Sequence, residues 1–266
     1  SGYNITTGDL NTAIGYKALY TEDAGNQAVA IGDYAMHDQN GGTAFVGNTG
    51  VGSSAGYYNV TGINNTYVGN QAGQGASGQS NSGNTAVGRA SMKSITTGHS
   101  NSALGSGSLA LNTTGVNNTA IGRMALSKIN DTSHNTALGS QAGSSCVGSE
   151  NVFIGWDAAN KATSANNNTI VGSNAGSTGT NDLTTGDKNT MVGDEATFSA
   201  GSAQNQIVIG YTATGVADNT AKIGNGNITD VYMGDNGNTW SQTSDGRLKE
   251  NVKEWDKGLD EINKLR

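Results

Sequence analysis

The chain has 266 residues, among them 41 Gly, 33 Asn, 30 Thr and 25 Ser, with no Pro and a net charge of −7. Only 34% of the residues are hydrophobic and 6% aromatic, which starves a conventional core, because burial at roughly 25 cal/mol per Å² must offset about 1–2 kcal/mol of backbone entropy per residue. The 13% charge content is low for a disordered chain, Gly is not at every third position as in collagen, no apolar run reaches about 18 residues as a membrane helix needs, and no clustered basic footprint serves nucleic acid.

No signal-peptide pattern opens the chain. The lone Cys146 excludes an intrachain disulfide framework and thiolate zinc clusters. From Asn11 onward one unit recurs: Asn-Thr, a small residue, an aliphatic residue and Gly. It reads NTAIG at 11–15, QAVAIG at 27–32, TAFVG at 43–47, NTYVG at 65–69, NTAVG at 84–88, NSALG at 101–105 and NTAIG at 118–122. It continues as NTALG at 135–139, NVFIG at 151–155, NTIVG at 168–172, NTMVG at 189–193, QIVIG at 206–210 and TAKIG at 220–224. The commonest separation between its glycines is 17 residues, and Ala stands three residues after Gly in most copies, as at Ala18, Ala35, Ala72, Ala125, Ala142 and Ala158. The phrase Thr-Thr-Gly-x-x-Asn precedes the unit at 6–11, 96–101, 113–118 and 184–189. It supplies a turn, where Gly tolerates positive φ and Asn and Thr side chains bond nearby backbone.

Such self-similarity is the signature of a solenoid. About two strands of five residues and two turns account for one 17-residue coil, and thirteen coils at roughly 4.8 Å make a parallel β-solenoid about 60 Å long. Alternation predicts Thr12 and Ile14 on one face and Ala13 on the other, with Val29 and Ile31, or Ile207 and Ile209, as inward pairs. A coil hiding so few aliphatic groups cannot stand alone, so coils stack, and self-association along one flank is the expected remedy for the thin core.

Three segments follow: repeats over 1–224, a transition over 225–243 and a distinct terminus over 244–266. The terminus holds twelve charges, six of each sign, and Leu248, Val252, Trp255, Leu259 and Ile262 lie at intervals of 4, 3, 4 and 3. That spacing predicts a short α-helical coiled-coil seam and favours a parallel oligomer.

The repeats resemble the head repeats of YadA-type trimeric adhesins and the 17-residue repeats of phage tail fibres. The resemblance implies an all-β fold, a left-handed parallel β-roll in an intertwined homotrimer, and an extracellular fibre of a virion tail or bacterial surface. Ser244-Asp245-Gly246-Arg247-Leu248-Lys249-Glu250-Asn251-Val252 is similar to the start of endosialidase-type intramolecular chaperones, which trimerise fibres and in many members cut themselves off. By that resemblance Ser244 is the nucleophile, Lys249 its general base, and Thr243–Ser244 the bond cleaved. A Ser and a Lys five apart otherwise read as a helix-entry residue and a solvated charge.

His37, His99 and His134 lack a metal-spaced partner and read as solvent-facing turn residues. No calcium-type repeat, recurring carboxylate pair or phosphate loop occurs. No metal or cofactor is expected, nor nucleic-acid binding or membrane insertion. Tyr57 and Tyr58 lie in the longest gap between unit glycines, and Trp156 directly follows Gly155. These aromatics grip a saccharide or, in the plainer reading, plug coil edges or a subunit seam. The expected function is a structural and adhesive fibre displaying a glycan- or receptor-binding surface, without substrate turnover. The alternative is a catalytic tailspike acting on a surface polysaccharide.

Overall fold

In the computed structural model the described residues are 1–42 and 45–228, and they belong to one compact unit, Ser1–Ile228. Thirteen three-residue strands form one parallel sheet in strict chain order: β1 (Thr12–Ile14), β2 (Val29–Ile31), β3 (Thr49–Val51), β4 (Thr66–Val68), β5 (Thr85–Val87), β6 (Ser102–Leu104) and β7 (Thr119–Ile121), then β8 (Thr136–Leu138), β9 (Val152–Ile154), β10 (Thr169–Val171), β11 (Thr190–Val192), β12 (Ile207–Ile209) and β13 (Ala221–Ile223). Each strand pairs with the next in register, so that Ala103 lies beside Ala120 and Leu104 beside Ile121. The described residues form an all-β, parallel β-solenoid, with one strand in each of thirteen coils, numbered here as their strands are.

The coil differs from the sequence expectation in three ways. It has one three-residue strand, and the rest of the coil is turns. The return flank uses left-handed residues in pairs, such as Met124 (φ 58) and Leu126 (φ 48) in coil 7. Left-handed backbone costs about 1–2 kcal/mol per non-Gly residue. In exchange it aims successive N–H groups at opposite neighbours: Met124 donates back to Ser106 O at 3.0 Å and Leu126 forward to Ala142 O at 3.0 Å. The turns therefore satisfy their backbone across coils as a strand would.

The second difference is the inward face. The middle residue of the strand is buried, as at Ala30, Tyr67, Phe153, Ile170, Met191 and Val208, whereas Ile207 and Ile209 are exposed and Val29 and Ile31 half-buried. The supposed inward pairs point outward. The interior is narrow because a side chain from the return flank crosses it, and the two positions share one volume. Leu109 and Leu126 are fully buried in coils whose strand residues, Ala103 and Ala120, are small. Around a large strand residue the flank is small: Tyr67 has Gly73 in its own coil and Gly56 in the coil before, where a Cβ would fall 2.8 Å from its ring, and Phe153 has Ala159 in its own coil and Gly143 in the coil before, where a Cβ would fall 2.8 Å from the ring atom Cε2. In β13 the middle residue is Lys222, a polar end to the inward column.

Third, coil 3 is built on Thr49-Gly50-Val51-Gly52 rather than on 43–47. Gly50 leaves room for Met36, since a Cβ there would fall 2.9 Å from that side chain. The corner is then Gly52, with φ +133 like the other corner glycines, while Gly47 has φ +54 and precedes the strand. Corner glycines stack on one another so closely that a Cβ at Gly88 (φ +128) would lie 2.6 Å from the carbonyl carbon of Gly105. The Ala residues three places on are fully buried, including Ala18, Ala35, Ala72, Ala125, Ala142, Ala158, Ala175, Ala196 and Ala213, as the repeat predicts.

From Asn48 onward the Asn that opens the unit is also buried. From Asn48 through Asn65, Asn84, Asn101, Asn118, Asn135, Asn151, Asn168 and Asn189 to Gln206, each backbone N–H donates to the side-chain oxygen of the preceding member at 2.8–3.1 Å. Each Asn amide also donates to a returning loop, as Asn101 Nδ2 does to Gly115 O at 2.8 Å and Asn118 Nδ2 to Thr132 O at 2.9 Å. The result is an internal amide ladder, a device that stacked identical strands make available. Turn threonines add an outer column: Thr96 Oγ1 donates to Thr113 O at 2.9 Å and Thr184 Oγ1 to Gly201 O at 3.0 Å.

Candidate functional site

Because the sheet is in register, every position of the repeat becomes a column along the solenoid. Two columns carry unusual chemistry. The first is the outward strand residue before the corner glycine: Ile14, Ile31, Val51, Val68, Val87, Leu104, Ile121, Leu138, Ile154, Val171, Val192, Ile209 and Ile223. Ile14 is 59% exposed, Leu104 51% and Leu138 45%. Thirteen aliphatic side chains thus run in line for about 58 Å at the usual strand spacing. Contiguous apolar surface of that extent marks an interaction face, and parallel sheets are almost always covered on both sides.

The second column stands five residues after the corner glycine and is aromatic in the first coils. Tyr20, His37 and Tyr57 follow Gly15, Gly32 and Gly52 at that offset, and Tyr3 precedes them. Their rings stack in sequence: Tyr3 on Tyr20 at 5.6 Å and 13° between planes, Tyr20 on His37 at 5.2 Å and 13°, and His37 on Tyr57 at 4.8 Å and 10°. Tyr34 joins from its own coil, 5.7 Å from His37 and 5.9 Å from Tyr57, and Tyr16 meets Tyr34 edge-on at 5.3 Å. Tyr58 closes the group at 4.4 Å from Tyr57. Lys17 Nζ lies 5.6, 5.2 and 5.9 Å from the centroids of Tyr16, Tyr20 and Tyr34, within cation–π range.

Acidic groups around this flank are engaged. Asp38 Oδ1 lies 2.6 Å from His37 Nδ1, and Asp33 Oδ1 accepts the Tyr16 N–H at 3.0 Å. Burial, then the Asp38 carboxylate and the neighbouring Tyr58 and Tyr34 phenols, push the Tyr57 hydroxyl above the usual phenol range.

With Gly52 as the corner, Tyr57 is therefore a regular member of the column and Tyr58 stands beside it, and neither occupies an irregular gap. Trp156 is 53% exposed beside the corner of coil 9, six coils or about 29 Å along the sheet from coil 3. The fold does not bring it to the two tyrosines. His99 lies 3.3 Å from Ser100 Oγ and His134 3.3 Å from Asn117 Nδ2. Among the described residues no three of His, Cys, Asp and Glu gather as metal ligands, and no helix is long and apolar enough to cross a membrane. Thr243, Ser244, Lys249 and the 244–266 seam lie outside the described residues.

Sequence reasoning missed Tyr3, Tyr16, Lys17, Tyr20, Tyr34 and His37 as one group. The signal was present: Tyr3, Tyr20 and His37 are spaced by 17 residues, the coil length. No family model matches the chain, and no curated protein matches it. Among solved structures the chain is similar to the collagen-binding domain of the Yersinia adhesin YadA, with 14% identity and a TM-score of 0.26 over 91% of this chain and 97% of that one.

Proposed function

We propose that the chain is the subunit of a structural and adhesive fibre: a homotrimer, carried on a virion tail or a bacterial surface, that presents a glycan- or receptor-binding flank and turns over no substrate. The observation that carries this reading is the unbroken outward aliphatic column of β1 to β13. A lone solenoid would leave that column in water, and copies aligned in parallel about a three-fold axis would cover it. Three identical binding flanks would then act together, so that weak contacts give avidity without a deep pocket. The test is incubation of the purified chain with capsular and cell-wall polysaccharides. Retention on the polysaccharide with no oligosaccharide released is expected, and release would overturn the reading.

The string from Ser244 to Val252 supports a maturation step on resemblance. Lys249 would take the Ser244 hydroxyl proton as Oγ attacks the Thr243 carbonyl. The Thr243–Ser244 amide would become an ester with the Ser244 amine released, and water would split that ester. In the full-length protein Ser244→Ala should abolish the cut on a denaturing gel, and a cut that persists would refute the assignment.

A further inference from the structure

Six of the chain's nine tyrosines, with His37 and Lys17, sit on one flank of coils 1–3 and the turn that precedes them. We propose that this flank is the binding site for a linear glycan of equatorially linked pyranoses lying along the solenoid, with one sugar ring per aromatic step. The proposal rests on the adhesive reading above and names its ligand and its site.

The first argument is geometric. Ring carbons make contact at roughly 3.5–4.0 Å, so near-parallel rings with centroids 5.2 Å apart must be slipped past each other by roughly 3.5 Å. Slipped rings overlap only in part: Tyr3 is exposed and Tyr20 and Tyr57 are half-buried, while His37, 13% exposed, is the most covered of the strip. The negative face of an aromatic ring attracts the polarised C–H groups on the flat face of a pyranose. An extended, equatorially linked chain advances ring by ring at nearly the spacing of β-strands, so successive sugars stay in step with successive coils.

The second argument is chemical. Lys17 is the cation of the flank, and among the described residues no carboxylate pairs with it: the ion pairs are His37–Asp38 and Lys161–Asp182. Its ammonium is held between three rings and offers donors to sugar hydroxyls or to the carboxylate of a uronic acid. The third argument is extent. After Tyr57 the column continues with Gln74 and Lys93, as the bonds Tyr58 N–H to Gln74 O and Gly75 N–H to Lys93 O show. The strip is therefore four rings long. It also stands clear of the aliphatic column in the repeat, lying after the corner glycine where the aliphatic residues lie before it.

The test uses the intact chain, with cellohexaose, chitohexaose and a hexameric polyuronate as probes in titration calorimetry, and with sedimentation mass measured on every variant. Tyr20→Ser with Tyr57→Ser should weaken binding at least tenfold at unchanged mass. Tyr3→Ser with Tyr16→Ser should also weaken it. This second pair alters rings 76% and 60% exposed and so guards against loss of folding. Lys17→Met should weaken the polyuronate more than the neutral probes. Binding lost in Trp156→Ser but kept in both tyrosine pairs would overturn the site while sparing the glycan reading. Dissociation of the tyrosine variants into monomers would make the flank a subunit seam instead. No binding of any probe by the wild-type chain would overturn this proposal, and if capsular and cell-wall polysaccharides also fail to retain the chain, the glycan reading beneath it falls too.

Discussion

Replacing Asn118 with Ala tests the amide ladder at its centre. Asn118 Oδ1 accepts the backbone N–H of Asn135 at 3.0 Å and its side-chain amide at 3.2 Å, while Asn118 Nδ2 donates to Asn101 Oδ1 at 3.1 Å and to Thr132 O at 2.9 Å. Asn135 Nδ2 keeps its bond to Gly148 O, and Asn101 Oδ1 still accepts the N–H of residue 118. The groups left without a partner are the buried Asn135 N–H and the partly buried Thr132 carbonyl. An orphaned buried group costs about 1–3 kcal/mol, and one that water can reach costs less, so the loss should be about 2–4 kcal/mol. Asn118→Asp keeps an acceptor for Asn135 but loses both donors and buries a charge, so at pH 7 it should cost more than Ala. That excess should shrink as pH falls and the carboxyl takes up a proton. Equilibrium unfolding in guanidinium chloride, with Thr119→Ala as the neighbouring control, reads these differences. The control should stay within about 0.5 kcal/mol of the parent. If Asn118→Ala did no more harm than Thr119→Ala, the ladder would not hold the coils together.

Gly88→Ala should block soluble assembly, because its Cβ would lie 2.6 Å from the Gly105 carbonyl carbon at a φ of +128; expression with a normal melting curve would contradict this. Ala125→Leu should cost about 1–3 kcal/mol by overpacking, while Thr113→Ser, which keeps the hydroxyl bond to Asn130 Oδ1 at 2.6 Å, should barely register in the same unfolding assay. Burial pushes the Cys146 thiol up to about 11, so it should resist a thiol-reactive dye at pH 8 until the chain is unfolded. An unfolded thiol ionises near 8.5. Cys146 thus contributes stability that is whole below that pH and is lost as pH rises towards about 11, a slope that Cys146→Ala should remove.

The architecture was legible because a 17-residue period, a corner Gly and a small residue three places on each have one physical use in a stacked coil. Ala125 and Ala142 are where the repeat puts them, fully buried. The direction of the strand was not legible in the same way. In a three-residue strand, alternation allows either face to be the inner one, and placing Ile209 inside follows from treating the chain as alone in water. The coil interior instead holds Val208, with Ile207 and Ile209 outside. The repeat phrase marks Asn118 only as a turn former, because one unit by itself has no neighbour to bond; its partners Asn101 and Asn135 are 17 residues away on either side. The position of the third coil is hidden because Ala-Phe-Val-Gly matches the unit better than Thr-Gly-Val-Gly, yet it is Gly50 of the latter that leaves space for Met36. The aromatic flank needed only the period applied to Tyr3, Tyr20 and His37.

The mass of the purified chain in solution tests the central claim most directly, since a fibre subunit must cover the column that runs from Ile14 to Ile223. Sedimentation equilibrium should return three times 26.9 kDa, about 81 kDa, and Leu104→Asp with Leu138→Asp should reduce that mass while leaving the coils folded. A wild-type chain that sediments at 26.9 kDa with its aliphatic column open to water would contradict the account.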